Sequence, residues 1–244
     1  SYNALVFIPT KPPYDLYSEK YEKGLQLYTK GVFIMEKCKE LIPDYLRFVR
    51  GLVDSSDLSL NISREILQQN KQLEKIASSL EKKILAELNR LKENEFDKYV
   101  KFFDAYGLNL KWGVYENYGA NKDKLKDLLL YKSINQDNYI SLKQYVEQMK
   151  EKQEFIYYVS ASNKEQVLAM PQMDLIKKQG YDVLILKDNI DEFVMTILKE
   201  YDGKQFKSIN QGDLDLLSKE EKDELEKVKE EKEPLINKLK EILK

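Results

Sequence analysis

Arg64 and Gln68, one helical turn apart in the run SREILQQNK, carry the most specific chemistry in this sequence. Ser63 fits an N-cap, and Glu65 lies in the first turn, where the helix dipole favours negative charge. An arginine in that turn opposes the positive end of the dipole at a penalty of roughly 0.3–1 kcal/mol. Local rules tend to be broken at functional sites. Gln68 lies on the same helical face. A guanidinium, an amide and the free N–H groups of the first turn are all donors, so together they suit an anion or a phosphate. The competing reading is an Arg64 bridged to a carboxylate such as Asp57.

The rest of the composition narrows the chemistry. The chain has 244 residues, with 40 basic and 42 acidic side chains and no histidine. That excludes Ser-His-Asp and Cys-His nucleophiles, an imidazole base and histidine metal sites within the chain. Cys38 stands alone, so it forms no internal disulfide or thiolate zinc site, and a reducing, cytoplasmic setting is the simpler expectation. It reads as a small buried hydrophobe. There is no GxxxxGK[ST] and no GxGxxG run, so no nucleotide cradle is expected here. The net charge of −2 argues against a nucleic-acid binder relying on a basic field. Apolar runs are too short for a membrane helix. Almost all cations are lysines; the arginines are Arg47, Arg50, Arg64 and Arg90, and only a guanidinium offers a planar donor fork. The chain opens on Ser1-Tyr2-Asn3 with neither an initiator methionine nor a signal pattern, as a piece of a longer protein would.

Several elements would hold these residues. Residues 4–9 (ALVFIP) read as a buried strand and Leu25 to Met35 as a second, interrupted by Gly31. Between them, the loop from Tyr14 to Lys23 alternates aromatic and charged residues. Tyr14, Leu16, Tyr17 and Tyr21 suit an adaptable protein-binding surface, or equally a cover over the adjacent sheet. Helical periodicity is expected from near Leu41, with Tyr45, Leu46, Phe48, Val49 and Leu52 on its apolar face. A long helix then follows Ser63, with a stripe at Leu73, Ile76, Leu80, Ile84, Leu88 and Leu91; free of proline from 64 to 93, it could reach roughly 45 Å.

Residues 94–131 read as a helical connector broken into short pieces by Gly107, Gly113 and Gly119. From 132 strands and helices alternate, with a capping box at Ser141–Gln144, strands at Phe155 to Ser160, Tyr181 to Lys187 and Gln205 to Ile209, and helices between. The expected fold class is α/β: a larger three-layer α/β/α unit (1–93), the connector (94–131), a smaller three-layer α/β/α unit (132–211) and a charged helix (212–244). The stripe at Leu235, Ile236, Leu239, Ile242 and Leu243 ends with the chain, leaving its partner surface outside.

The stretch LIPDYLRFVRGLVDSSDLSLNISREILQQNK closely resembles the middle segment of the heat-shock protein 90 chaperones. The resemblance continues through NALVFIPTKPPYDLY, KGVFIM, FIYYVS, YDVLILKDNIDEF and KEPLINKLKEIL, and so covers essentially the whole chain. It implies a bacterial member lacking the N-terminal ATP-binding domain, most of the C-terminal dimerisation domain and the start of the middle segment. Residues 212–244 would begin the dimerisation domain.

Further implications follow from the same resemblance. Arg64 would reach the γ-phosphate of ATP, bound with Mg²⁺ mainly by the absent N-terminal domain, and Gln68 would support it. Phe33 would help to position the loop, with Ser63 opening its helix. Tyr14, Leu16, Tyr17 and Tyr21 would fall in an amphipathic loop that meets clients and co-chaperones. The implied partners are the N-terminal ATPase domain in cis, non-native client proteins, co-chaperones and, in the full-length protein, a second copy through the C-terminal domain. Neither nucleic acid nor membrane is expected. By itself the chain would hold no cofactor and hydrolyse no ATP, so it is part of an enzyme rather than one alone. Two rivals are the transducer domain of a related topoisomerase or mismatch-repair ATPase, and a scaffold without ATP coupling.

Overall fold

The computed structural model describes residues 1–58 and 71–210. In the second strand pattern, Lys30 and Gly31 both take positive φ, 51° and 76°, which is the backbone of a two-residue hairpin turn. The expected single interrupted strand is therefore a pair, β2 (Leu25–Thr29) and β3 (Val32–Cys38). With β1 (Tyr2–Phe7) and β4 (Arg50–Ser55) they form a sheet of order β1-β4-β2-β3. β1 and β4 run antiparallel and β4 and β2 parallel.

Residues 41–52 do not form the expected helix. Two short 3₁₀ turns, Lys39–Leu41 and Asp44–Leu46, lead directly into β4. Leu41, Ile42, Tyr45, Leu46, Phe48 and Val49 are all buried. Closely spaced tight turns with buried apolar residues imitate helical spacing, and Gly51, at φ +137°, fits an extended strand rather than a helix.

The described part of the long helix is α1 (Lys71–Asn94). Its stripe of Leu73, Ile76, Leu80, Ile84 and Leu88 is buried against the first sheet and the 3₁₀ turns, each side chain contributing roughly 1.5–3 kcal/mol. Tyr45 donates its hydroxyl to Glu81 of this helix. Glu81 in turn pairs with Lys124 at 3.0 Å.

α2 (Phe96–Gly119) runs through Gly107 and Gly113 instead of breaking there; only at Glu116–Tyr118 does the backbone leave helical geometry. Each interior glycine costs about 1 kcal/mol against alanine, and packing explains why both are present. A Cβ on Gly113 would come within 2.6 Å of Tyr45 and 2.7 Å of Leu125, and one on Gly107 within 2.8 Å of the Phe103 ring.

A short helix α3 (Lys122–Leu125) leads to a six-stranded sheet of order β6-β5-β8-β7-β10-β9. Its strands are β5 (Leu130–Ser133), β6 (Ile140–Ser141), β7 (Phe155–Ser160), β8 (Leu184–Leu186), β9 (Glu200–Tyr201) and β10 (Lys204–Ser208). The central β10-β7-β8 trio is parallel, which requires crossover helices. These are α5 (Lys164–Leu168), α6 (Met173–Gln179) and α7 (Asp191–Leu198). α4 (Leu142–Glu147) starts at the expected capping box, where Ser141 Oγ accepts from the Gln144 N–H at 3.1 Å and Gln144 Oε1 accepts from the Ser141 N–H at 2.8 Å.

Along β7 the faces alternate. Tyr157 and Val159 pack with Val167, Met173 and Ile176 of α5 and α6. Ile156 and Tyr158 join the main core with Val194 and Met195 of α7 and with α2. That is helix–sheet–helix layering. At the first sheet the described helices cover one face, and Leu5, Phe7 and Phe33 are exposed. The main core nevertheless runs without a break from Leu25 of the first sheet to Tyr201 of the second. Mixed sheets with helices make the chain α/β, as expected.

Candidate functional site

Arg64, Gln68 and Ser63 lie outside the described residues, as does the charged segment 212–244; the structure describes what surrounds the first group. β4 delivers the chain to Leu58, which is buried, and α1 resumes at Lys71. The other three arginines all have partners. Arg47 and Arg50 lie against the Tyr21 ring, at 5.1 and 5.2 Å from its centroid. Arg90 forms a two-point pair with Glu87, at 2.9 and 2.6 Å. Asp57, the carboxylate considered as an anchor for Arg64, follows the end of β4, where its N–H donates to Ser55 Oγ at 3.3 Å.

The expected client loop divides in two. Leu16 and Tyr21 are buried, and Tyr21 donates to the Arg47 carbonyl at 2.9 Å. Tyr14 is fully exposed; Tyr17 is half exposed and donates to Asn109 Oδ1 at 2.9 Å. In a polar loop every second or third residue can turn inward, so Leu16 and Tyr21 cover the core and Tyr14 and Tyr17 face outward. Phe33 is exposed on the hairpin and meets Tyr28 edge-on at 5.5 Å.

Sequence reasoning missed a second aromatic surface. Trp112 and Tyr115 of α2 and Phe193 of α7 are 44%, 40% and 56% exposed. They touch in a chain, Trp112 to Tyr115 at 5.6 Å and Tyr115 to Phe193 at 5.7 Å, both edge-to-face. Tyr118, fully exposed, stands at the end of the same helix. The signal was available in the i, i+3 spacing of Trp112 and Tyr115, but reading Gly113 as a break hid it.

Cys38 is fully buried, and burial with the neighbouring Glu40 pushes its thiol up to about 12. The thiolate is the reactive form, so at pH 8 a disulfide reagent is expected to label Cys38 at least about 100-fold more slowly than a free cysteine. Rates matching free cysteine would show that the strand end opens readily. Among the described residues no group of three or more acidic or cysteine side chains could hold a metal ion. Among the same residues no helix is long and apolar enough to cross a membrane.

Comparison with known proteins places this architecture. The model of the HSP90 family, described as Hsp90 protein, matches residues 1–244. A relative named chaperone protein HtpG from Fusobacterium nucleatum is 50% identical over the whole chain, which covers 40% of that protein. One of the same name from Clostridium perfringens is 46% identical over 243 residues, 38% of its length. The chain thus spans about 40% of the length of the curated relatives it matches. Among solved structures, the middle domain of a Plasmodium falciparum heat shock protein superposes with a TM-score of 0.74 at 34% identity, over 86% of this chain and 83% of that one. The chain belongs to the Hsp90 family from its first residue to its last, and over 86% of its length it matches the fold of a heat-shock protein's middle domain.

Proposed function

We propose that this chain is the middle portion of an ATP-dependent chaperone, completing an ATPase site built mainly by another domain and offering surface to non-native proteins. The observation that carries the reading is the match to the family over all 244 residues, with the SREILQQ run intact. Arg47, Arg50 and Arg90 have structural posts, so Arg64 is the guanidinium assigned to chemistry. Bound ATP, with its Mg²⁺, supplies the phosphoryl group to be transferred. The donor set fits its terminal phosphate, since Arg64, the Gln68 amide and first-turn N–H groups can neutralise and orient negative charge. In this reading Ser63 would cap the helix and Phe33 would brace the loop.

For clients, Trp112, Tyr115 and Phe193 form the main docking patch, with Tyr14 and Tyr17 as a second contact. Exposed aromatics of this kind suit unfolded segments, because rings give large contact area at low entropic cost. Co-chaperones, dimerisation through a further domain and a cytoplasmic setting complete the reading.

The test is reconstitution. Adding this chain to the separately expressed nucleotide-binding domain of the same parent protein is expected to raise phosphate release well above that of the domain alone. No stimulation at saturating chain concentration, with binding between the two confirmed, would overturn the ATPase role.

A further inference from the structure

We propose that Lys111 is a positioning residue for the aromatic docking patch: its ammonium clamps the start of α7 to α2 and so holds Phe193 against Tyr115. This rests on the patch reading above. The patch has two halves on two helices. α2 supplies Trp112 and Tyr115, α7 supplies Phe193, and the ring contact between Tyr115 and Phe193 spans the gap.

Lys111 immediately precedes Trp112. At about 100° per residue one side chain points inward while the next faces out, and Lys111 is only 5% exposed. Its Nζ lies 2.8 Å from Asp188 Oδ2 and 2.8 Å from Asp191 Oδ1. The Asp191 contact is ionic, without the alignment of a hydrogen bond. The rings of Tyr131 and Phe103 hold the ammonium on further sides, at 5.0 and 5.8 Å.

The receiving end is equally fixed. Asp191 is the first residue of α7 and is fully buried. Its Oδ2 accepts the Asp188 N–H, and its own N–H donates to the Asp188 carbonyl, both at 2.9 Å. This closed turn presents both carboxylates to Lys111, two residues before Phe193. Burial holds the Asp191 pKa above the usual carboxylate range and Lys111 offsets this only in part, consistent with a carboxylate that depends on this one cation. A buried ion pair is a poor source of stability compared with packed hydrophobes of similar volume. Direction is what it supplies: an apolar contact would let α7 slide, whereas two charge contacts fix its register.

Lys111→Met alone strands a buried carboxylate, so the test is the double variant Lys111→Met/Asp191→Asn beside the single Asp188→Asn, each checked by circular dichroism for a cooperative melt. Two readouts follow. One is the cross-relaxation between the Tyr115 and Phe193 rings by NMR. The other is the affinity for reduced, carboxymethylated α-lactalbumin carrying a fluorescent label, read from the anisotropy of the label. In the double variant the ring contact is expected to disappear and binding to weaken by about tenfold, the scale of one well-placed interface anchor. Asp188→Asn should give a smaller change of the same sign. A retained ring contact in the folded double variant would overturn the clamp, whatever binding does. If wild type and Phe193→Ala bind the probe alike, the patch reading itself fails and takes the positioning role with it.

Discussion

Arg64→Ala is expected to lower ATP turnover of the reconstituted assembly by about 1,000-fold or more, the scale on which an arginine finger acts in phosphoryl transfer. Its guanidinium would be most valuable where charge spreads over the transferred group, because a preorganised donor needs no reorganisation at that moment. Arg64→Lys keeps the charge but loses the planar two-point fork, so it should recover only part of the rate. Gln68→Ala would remove the proposed supporting hydrogen bond, and an expected loss of about tenfold matches roughly 1.4 kcal/mol. Phosphate release at saturating ATP, with complex formation confirmed separately, is the measurement. Equal rates for wild type and Arg64→Ala would remove the proposed role and favour a scaffold in which Arg64 is merely ion-paired.

Gly51→Ala should be the most damaging single methyl group in the described fold. At φ +137° the backbone is in a region that side chains rarely adopt, and a Cβ there would sit 2.0 Å from the Leu5 carbonyl and 2.8 Å from the Val6 Cα. Both obstacles are backbone, so no rotamer change can yield. The relief available is to pull β1 away from β4, breaking the pairing from Tyr2–Ser55 to Phe7–Arg50. Strain at such a site adds to the lost strand contacts, and the expected cost is about 3–5 kcal/mol. Urea unfolding would measure it. A variant within about 1 kcal/mol of wild type would show that β1 is only loosely attached.

Much of this was legible because local and tertiary signals agreed. The Ser141–Gln144 capping box, the stripe of α1 and the strands β7, β8 and β10 appear where their patterns placed them, give or take a few residues at the ends, whereas β5, β6 and β9 fall where no strand was expected. Failures came where a residue's reason lay across space. Gly113 looks like a helix breaker until Tyr45, 68 positions earlier, is seen to occupy the room a Cβ would need. Tyr45 to Val49 look helical because every one of Tyr45, Leu46, Phe48 and Val49 is buried, and periodicity cannot tell tight turns wrapped by core from a helix face. At the candidate site, Arg64 drew notice because a cation would offend the dipole at the expected helix start, and Gln68 because it would share that face; both lie outside the described residues. The Trp112–Tyr115–Phe193 patch offends no local rule, since its residues are unremarkable until two helices bring them together. Lys111 was invisible for the same reason: a lysine in a chain with 40 cations reads as solvated surface unless its carboxylate partners are known.

The unbroken core from Leu25 to Tyr201 bears on how such a chain tolerates change. The cluster under α5 and α6 belongs to the second sheet alone, but with α2 shared between both sheets a lesion in the common core draws on the folding free energy of the whole. Sequence drift at the two ends is therefore coupled: a loss accepted near Gly51 narrows what can later be accepted near Lys111, although the two positions share no contact.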